Sequence, residues 1–154
     1  MVAVGLLAVL GVRAVDHPAP ERLLWVAGSE GLMAVDIASA DVLLEIPTER
    51  PVRAAAFDHE RGFLWVVSDR DELTALDLTG TAVASAPVPA PTGPDAVLRV
   101  DAPAGTVWLG TTNAAYRFDT DATLRERIAF APGDRLRGLA LDEARSRLWL
   151  ATQN

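Results

Sequence analysis

The stretch Phe63-Leu64-Trp65-Val66-Val67 decides the fold, because stretches like it recur around all four tryptophans of the chain. The tryptophans are spaced 40, 43 and 41 residues apart, and each lies in an apolar run of about five residues. They are Trp25, Trp65, Trp108 and Trp149. A fixed period in this range is typical of proteins built from one repeated supersecondary unit. The sequence therefore predicts a repeat architecture.

Aspartates provide two further landmarks in each unit. An apolar run that ends in Asp precedes each tryptophan, at Asp16, Asp58, Asp101 and Asp142. A second such run follows the first three tryptophans by 11 or 12 residues and ends at Asp36, Asp77 and Asp119. An Asp at the end of a strand can accept hydrogen bonds from the backbone of the following turn. We therefore interpret these residues as turn formers and not as metal ligands.

Each unit contains four short apolar runs bounded by Gly, Pro, Asp and Ser, which predicts four strands. First strands are expected at about 10–16, 52–58, 96–101 and 136–142, and second strands at 23–27, 62–67, 106–110 and 147–151. Third strands are expected at 31–37, 72–78 and 114–119, and the weaker fourth strands at 42–46, 82–85 and 124–130. The connections are too short for crossover helices, so neighbouring strands must be antiparallel. The units cover about 10–51, 52–95, 96–135 and 136–154, after an apolar segment at 1–9.

A β-propeller explains this repeat better than a two-layer sandwich. The runs around tryptophan are apolar on both faces, as expected for sheets with a neighbour on each side, whereas sandwich strands alternate apolar and polar residues. The residue two positions after each tryptophan is mostly small and leaves room for an adjoining sheet; these residues are Ala27, Val67, Gly110 and Ala151. The sequence predicts an all-β propeller of about three four-stranded antiparallel blades plus a partial fourth, an incomplete ring.

The landmarks also resemble known propeller repeats. A strand ending in Asp, a short turn, Leu-Trp-Val and a further strand ending in Asp are similar to the NHL, YVTN and streptogramin-lyase-like repeats, and more broadly to WD40-like ones. The segment 105–112, Gly-Thr-Val-Trp-Leu-Gly-Thr-Thr, followed by Tyr116-Arg117-Phe118-Asp119, resembles the regulator-propeller repeats of bacterial sensor ectodomains. The resemblance covers about residues 10–154. It implies the fold, and it implies that the loops after the second and fourth strands form the ligand face, while function in these families varies widely.

Composition excludes several function classes. The net charge of −7 disfavours a protein that tracks nucleic-acid phosphates, and the absence of cysteine excludes disulfides and thiolate chemistry. The apolar run from Val2 to Val12 is too short to span a bilayer. No Lys or Arg precedes this run, so the features of a signal peptide are only partly present and the compartment stays open.

Two groups of side chains are candidate ligand contacts. Arg53 and Arg137 occupy the same first-strand position in two units, and first strands line the central channel of a propeller, where guanidinium groups suit an anionic ligand. Asp69, Asp71 and Glu72 form the most acidic loop, which could bind Ca²⁺ or a partner. For both groups we favour the alternative, an exposed or internally paired side chain.

We identify no catalytic residue, no cofactor site and no metal site. The histidines, His17 and His59, each follow a first-strand Asp and lie in turns away from the expected ligand face, so we interpret them as solvated. The favoured function is a non-catalytic propeller module that binds a protein or small ligand, as a fragment of a larger repeat protein. A lyase- or lactonase-type propeller enzyme and a segment of a sensor ectodomain are the alternatives.

We expect neither a nucleic-acid partner nor a membrane span. An incomplete ring leaves apolar blade faces and strand edges free, so self-association is expected. A head-to-tail pair of chains would still lack a third strand at each junction, which favours truncation over clean ring closure.

Overall fold

The structure is a computed structural model that describes residues 23–28, 31–145 and 147–154. Several expectations fall outside these ranges: the apolar segment 1–9, the first strand predicted at 10–16, and the turn that contains His17. The remaining expectations can be compared with the structure residue by residue.

The described residues form four antiparallel sheets, and within each sheet the strands are adjacent in chain order. Sheet 1 contains β1 (Leu23–Ala27), β2 (Gly31–Asp36) and β3 (Val42–Pro47). Sheet 2 contains β4 (Val52–Asp58), β5 (Phe63–Ser68), β6 (Glu72–Leu76) and β7 (Ala82–Pro87). Sheet 3 contains β8 (Val97–Asp101), β9 (Thr106–Gly110), β10 (Ala114–Asp119) and β11 (Leu124–Ala129). Sheet 4 contains β12 (Arg135–Asp142) and β13 (Arg147–Gln153).

The all-β prediction is confirmed, and each tryptophan is the third residue of its strand. Within the described ranges the one helical element is a 3₁₀ turn at Glu143–Arg145. None of the described segments is a helix with the length and apolar character needed to cross a membrane. The strand β7 continues to Pro87, two residues beyond the prediction. Its ladder is extended because the Val88 N–H donates a hydrogen bond to the Asp71 carbonyl at 2.7 Å.

The repeated aspartates cap the turns that follow their strands. Asp58 Oδ1 accepts hydrogen bonds from the backbone N–H groups of Glu60 and Arg61 at 3.2 and 3.1 Å. Asp77 Oδ1 accepts one from the Thr79 N–H at 2.8 Å. Equivalent bonds to turn backbone are made by Asp36, Asp101 and Asp119. The turn-forming interpretation is confirmed for these five residues.

Successive sheets stack in one direction. We call the side of each sheet that carries its tryptophan the Trp face, and the other side the opposite face. On the Trp face of sheet 1, Trp25 packs against Phe57 of the opposite face of sheet 2, with ring centroids 5.5 Å apart. The same step recurs twice, because the cluster around Trp65 joins sheet 2 to sheet 3 and the cluster around Trp108 joins sheet 3 to sheet 4.

Sheets 2, 3 and 4 approach one another most closely at their first strands, where β4 contacts β8 and β8 contacts β12, and sheet 1 contacts sheet 2 through β1 and β4. Gly110 shows how close this approach is, because a Cβ at this position would collide with the side chain of Leu136 in sheet 4. This confirms that the small residue two positions after Trp108 leaves room for the adjoining sheet. Among the described strands, the fourth strands β7 and β11 make no comparable approach, so sheets 2 and 3 diverge outward.

Candidate functional site

A groove of about 460 Å³ opens between sheets 1 and 2. Its floor is the opposite face of sheet 2, and one wall is the connection 47–50 between β3 and β4. The groove runs along sheet 2 from the β5–β6 loop, at Ser68 and Arg70, to the β6–β7 turn, at Gly80. Its volume falls within the range of small-molecule sites, which is about 300–1,000 Å³.

The groove exists because sheet 1 covers only part of the opposite face of sheet 2. Leu64 is fully buried against sheet 1, within a cluster that includes Leu32 and Ile46. Farther from the first strand, Thr74 and Ser85 are direct partners across β6 and β7, and both line the groove. Their hydroxyl groups give this outer part of the floor a polar surface beside the apolar side chains of Val66 and Leu76.

Four exposed charged side chains surround this floor. Glu49 and Arg50 come from the β3–β4 connection, Arg70 comes from the β5–β6 loop, and Glu72 is the first residue of β6. Among the ion pairs of the described residues, none involves these four side chains. The Thr48 hydroxyl donates to the Arg50 carbonyl at 2.8 Å and thereby shapes the connection. The site therefore offers two guanidinium and two carboxylate groups to a ligand.

Asp71, one of the predicted loop contacts, is engaged within the protein. Its backbone is left-handed, with φ of 59°, and its Oδ1 accepts hydrogen bonds from the backbone N–H and the hydroxyl of Thr92, both at 2.7 Å. These bonds hold the pKa of the Asp71 carboxyl below its usual range, and the positive charge of Arg53 acts in the same direction. Thr92 is fully buried, so Asp71 fastens the β5–β6 loop to the β7–β8 connection.

The predicted pair of arginines occupies equivalent places, as the repeat suggested. Arg53 and Arg137 each lie at the irregularity where a first strand shifts its register against the second, which indicates a β-bulge. Both are exposed, and Arg137 Nε donates to Gln153 Oε1 at 2.9 Å. They are on sheets 2 and 4, with sheet 3 between them, and neither lines the groove.

The other predicted residues divide between the groove and the surface. Glu72 lines the groove, whereas Asp69 is exposed in the same loop and does not. His59 is exposed in the β4–β5 turn, next to Asp58. In the part of the chain that the structure describes, no three His, Asp or Glu residues are grouped so that they could hold a metal ion.

Sequence reasoning did not identify the groove. The signal that could have revealed it is the pair Thr74 and Ser85, whose hydroxyl groups lie on the same face as the apolar side chains of Val66 and Leu76. Arg50 and Arg70 gave no signal, because a single Arg in a loop is usually solvated. Comparison with protein-family models and with curated proteins gives no match to this chain.

Proposed function

We propose that the four sheets are consecutive blades of a β-propeller, and that the groove between sheets 1 and 2 binds a small zwitterionic ligand without transforming it. Three observations support the propeller. The sheets repeat every 40 to 43 residues, they stack through equivalent faces, and sheets 2 to 4 lie closest at their first strands. Radial repetition of four-stranded sheets has these properties.

The observation that carries the binding proposal is the set of charges around the groove. Arg50 and Arg70 are suited to a carboxylate, since guanidinium groups form paired hydrogen bonds with it. Glu49 and Glu72 are suited to an ammonium group. A free amino acid or a short peptide carries both groups, and its side chain can lie on the floor formed by Val66 and Leu76.

The hydroxyl groups of the groove favour binding over catalysis. Nucleophilic catalysis by Ser or Thr needs an adjacent base within hydrogen-bonding distance. In the described part of the chain, no His or carboxylate accepts a hydrogen bond from Ser68, Thr74 or Ser85. The Ser68 hydroxyl instead accepts the backbone N–H of Arg70 at 3.3 Å, a bond within the loop.

The test is an NMR titration of the ¹⁵N-labelled chain with free amino acids and with a set of dipeptides. Saturable shifts at the amides of Thr74 and Ser85 are expected for at least one probe. Thr74→Tyr, which fills the groove, should abolish them. Val83→Tyr is the matched control, because Val83 lies on the same β7 strand as Ser85, is exposed and does not line the groove. Saturable binding that survives Thr74→Tyr, or no binding of any probe, would refute the proposal.

A further inference from the structure

The two end sheets of the described stack each expose a face whose equivalents are buried elsewhere. Trp65 is 0% exposed and Trp108 is 8% exposed, because in both cases the next sheet covers the Trp face. Trp149 occupies the same position in β13 and is 60% exposed. At the other end, Leu24 precedes Trp25 as Leu64 precedes Trp65, yet Leu24 is 52% exposed and Leu64 is 0% exposed.

These two faces correspond to the two sides of the interface that the chain already forms three times. In each internal interface a Trp face meets the residues that flank the next tryptophan, such as Leu64 and Val66, or Leu148 and Leu150. Sheet 4 presents a Trp face through Trp149, and sheet 1 presents the flanking pair Leu24 and Val26. The exposed faces are therefore complementary by the same rule that holds the sheets together.

A polar contact follows the same pattern. Arg61, in the β4–β5 turn, pairs with Asp58, and its Nη1 also donates to the carbonyl of Ala102, in the turn that follows β8 of sheet 3, at 2.8 Å. Arg145 lies at the equivalent turn position of sheet 4 and pairs with Asp142 at 3.2 Å. Sheet 2 contacts sheet 3 through an apolar Trp face and a turn arginine. Sheet 4 carries both of these features.

We propose that a second copy of this chain docks head to tail, placing the Leu24 and Val26 face of its sheet 1 on the Trp149 face of sheet 4. A contact of this kind joins two different surfaces, so each complex retains one free face of each type unless the assembly closes into a ring. The proposal rests on the internal stacking and not on the ligand groove, because neither Trp149 nor Leu24 lines the groove.

The test is sedimentation velocity on the 154-residue chain over a hundredfold range of concentration. The wild-type mass should increase with concentration, whereas Trp149→Glu and Leu24→Glu should each remain monomeric. An equimolar mixture of the two variants should give a species of twice the monomer mass, because each variant supplies the face that the other has lost. Val83→Glu is the control, because it places the same charge at an exposed apolar residue of sheet 2, away from the Trp149 and Leu24 faces. This variant should associate as the wild type does.

Both substituted side chains are more than half exposed, so the variants should retain the fold, which far-UV circular dichroism can verify. A monomeric wild type at all concentrations would overturn the proposal. So would a mixture that stays monomeric, or variants that associate as strongly as the wild type. The last result would place self-association on strand edges or on a symmetric contact.

Discussion

The two interfaces of sheet 2 use equivalent positions, yet one is sealed and the other contains a groove. Towards sheet 3, the third strand β10 contributes Tyr116, which faces Leu109 of β9 and is 1% exposed. Towards sheet 1, the equivalent residue of β6 is Thr74, which faces Val66 of β5. The two interfaces of sheet 2 therefore differ at the third strand, where one contains a buried aromatic ring and the other a smaller polar side chain beside the groove.

The residues that lie across the interface from Tyr116 and from Thr74 also differ in size. Those across from Tyr116 are small, and those across from Thr74 are large. Tyr116 belongs to a cluster with Ala75, Ala84 and Ala86 of sheet 2, whose small side chains leave space for the phenol ring. The corresponding surface of sheet 1 carries the larger Leu44 and Ile46. The larger side chains therefore come from sheet 3 in one interface and from sheet 1 in the other.

The largest expected loss of stability comes from giving the interface between sheets 2 and 3 the smaller third-strand side chain found beside the groove. Tyr116→Thr removes a buried ring and should lower the free energy of unfolding by about 3–4 kcal/mol, measured by urea denaturation. Thr74→Ala, at the equivalent position beside the groove, should cost less than about 1 kcal/mol, because little buried volume is lost. Equal costs at the two positions would mean that the interfaces do not differ as described.

A smaller effect is expected from replacing the two turn arginines. Arg61 contacts the neighbouring sheet, whereas Arg145 lies beside a face that no described sheet covers. Arg61→Met removes a hydrogen bond to the buried Ala102 carbonyl of the next sheet and should cost about 1–2 kcal/mol. Arg145→Met breaks an exposed pair and should cost about 0.5 kcal/mol or less in the monomer. Thermal unfolding at low protein concentration measures the stability lost in each variant. A greater loss of stability for Arg145→Met than for Arg61→Met would contradict this prediction.

A modest effect that depends on pH is expected in the β5–β6 loop. Because the pKa of Asp71 is lowered in the folded chain, its carboxylate stabilises the fold above the ordinary carboxyl pKa, and this contribution disappears as the pH falls through the lowered value. Asp71→Asn should cost about 0.5–1 kcal/mol at pH 7, and the difference should shrink as the pH falls below about 4.

The control for this measurement is Asp69→Asn, an exposed residue of the same loop whose carboxylate accepts no hydrogen bond from the described residues. It removes the same charge without touching Thr92. A cost for Asp71→Asn that stays constant from pH 7 to pH 3 would show that the charge of Asp71 does not strengthen its bonds to Thr92.

The strands and turns were predictable because they depend on residues close together in the chain. Strand β4 begins and ends as predicted, at Val52 and Asp58, because an alternation of apolar runs with Asp and Gly turns is a local pattern. The role of Asp71 was not predictable, because its partner Thr92 is 21 residues away. Before the structure, nothing in the acidic loop separated Asp71, which is engaged, from Asp69, which is exposed.

The groove could not be predicted for a related reason. Its floor depends on which residues of β6 face sheet 1 and on how far the cover from sheet 1 extends, and both are properties of packed sheets. The positions of Arg53 and Arg137 were predictable only in part. The repeat predicted their equivalence correctly, while the register shifts that place them outside the regular ladder emerged only in three dimensions.

The three consecutive alanines of β4, Ala54 to Ala56, affect the spacing between neighbouring sheets. They keep the sheets close at the first strand, while Tyr116 and Phe118 fill the wider space at the third strand. Small side chains at the first strand and aromatic side chains at the third strand match the outward divergence of sheets 2 and 3. Enlarging Ala54 or Ala56, which lie in the cluster between sheets 2 and 3, should therefore push these two sheets apart at their first strands.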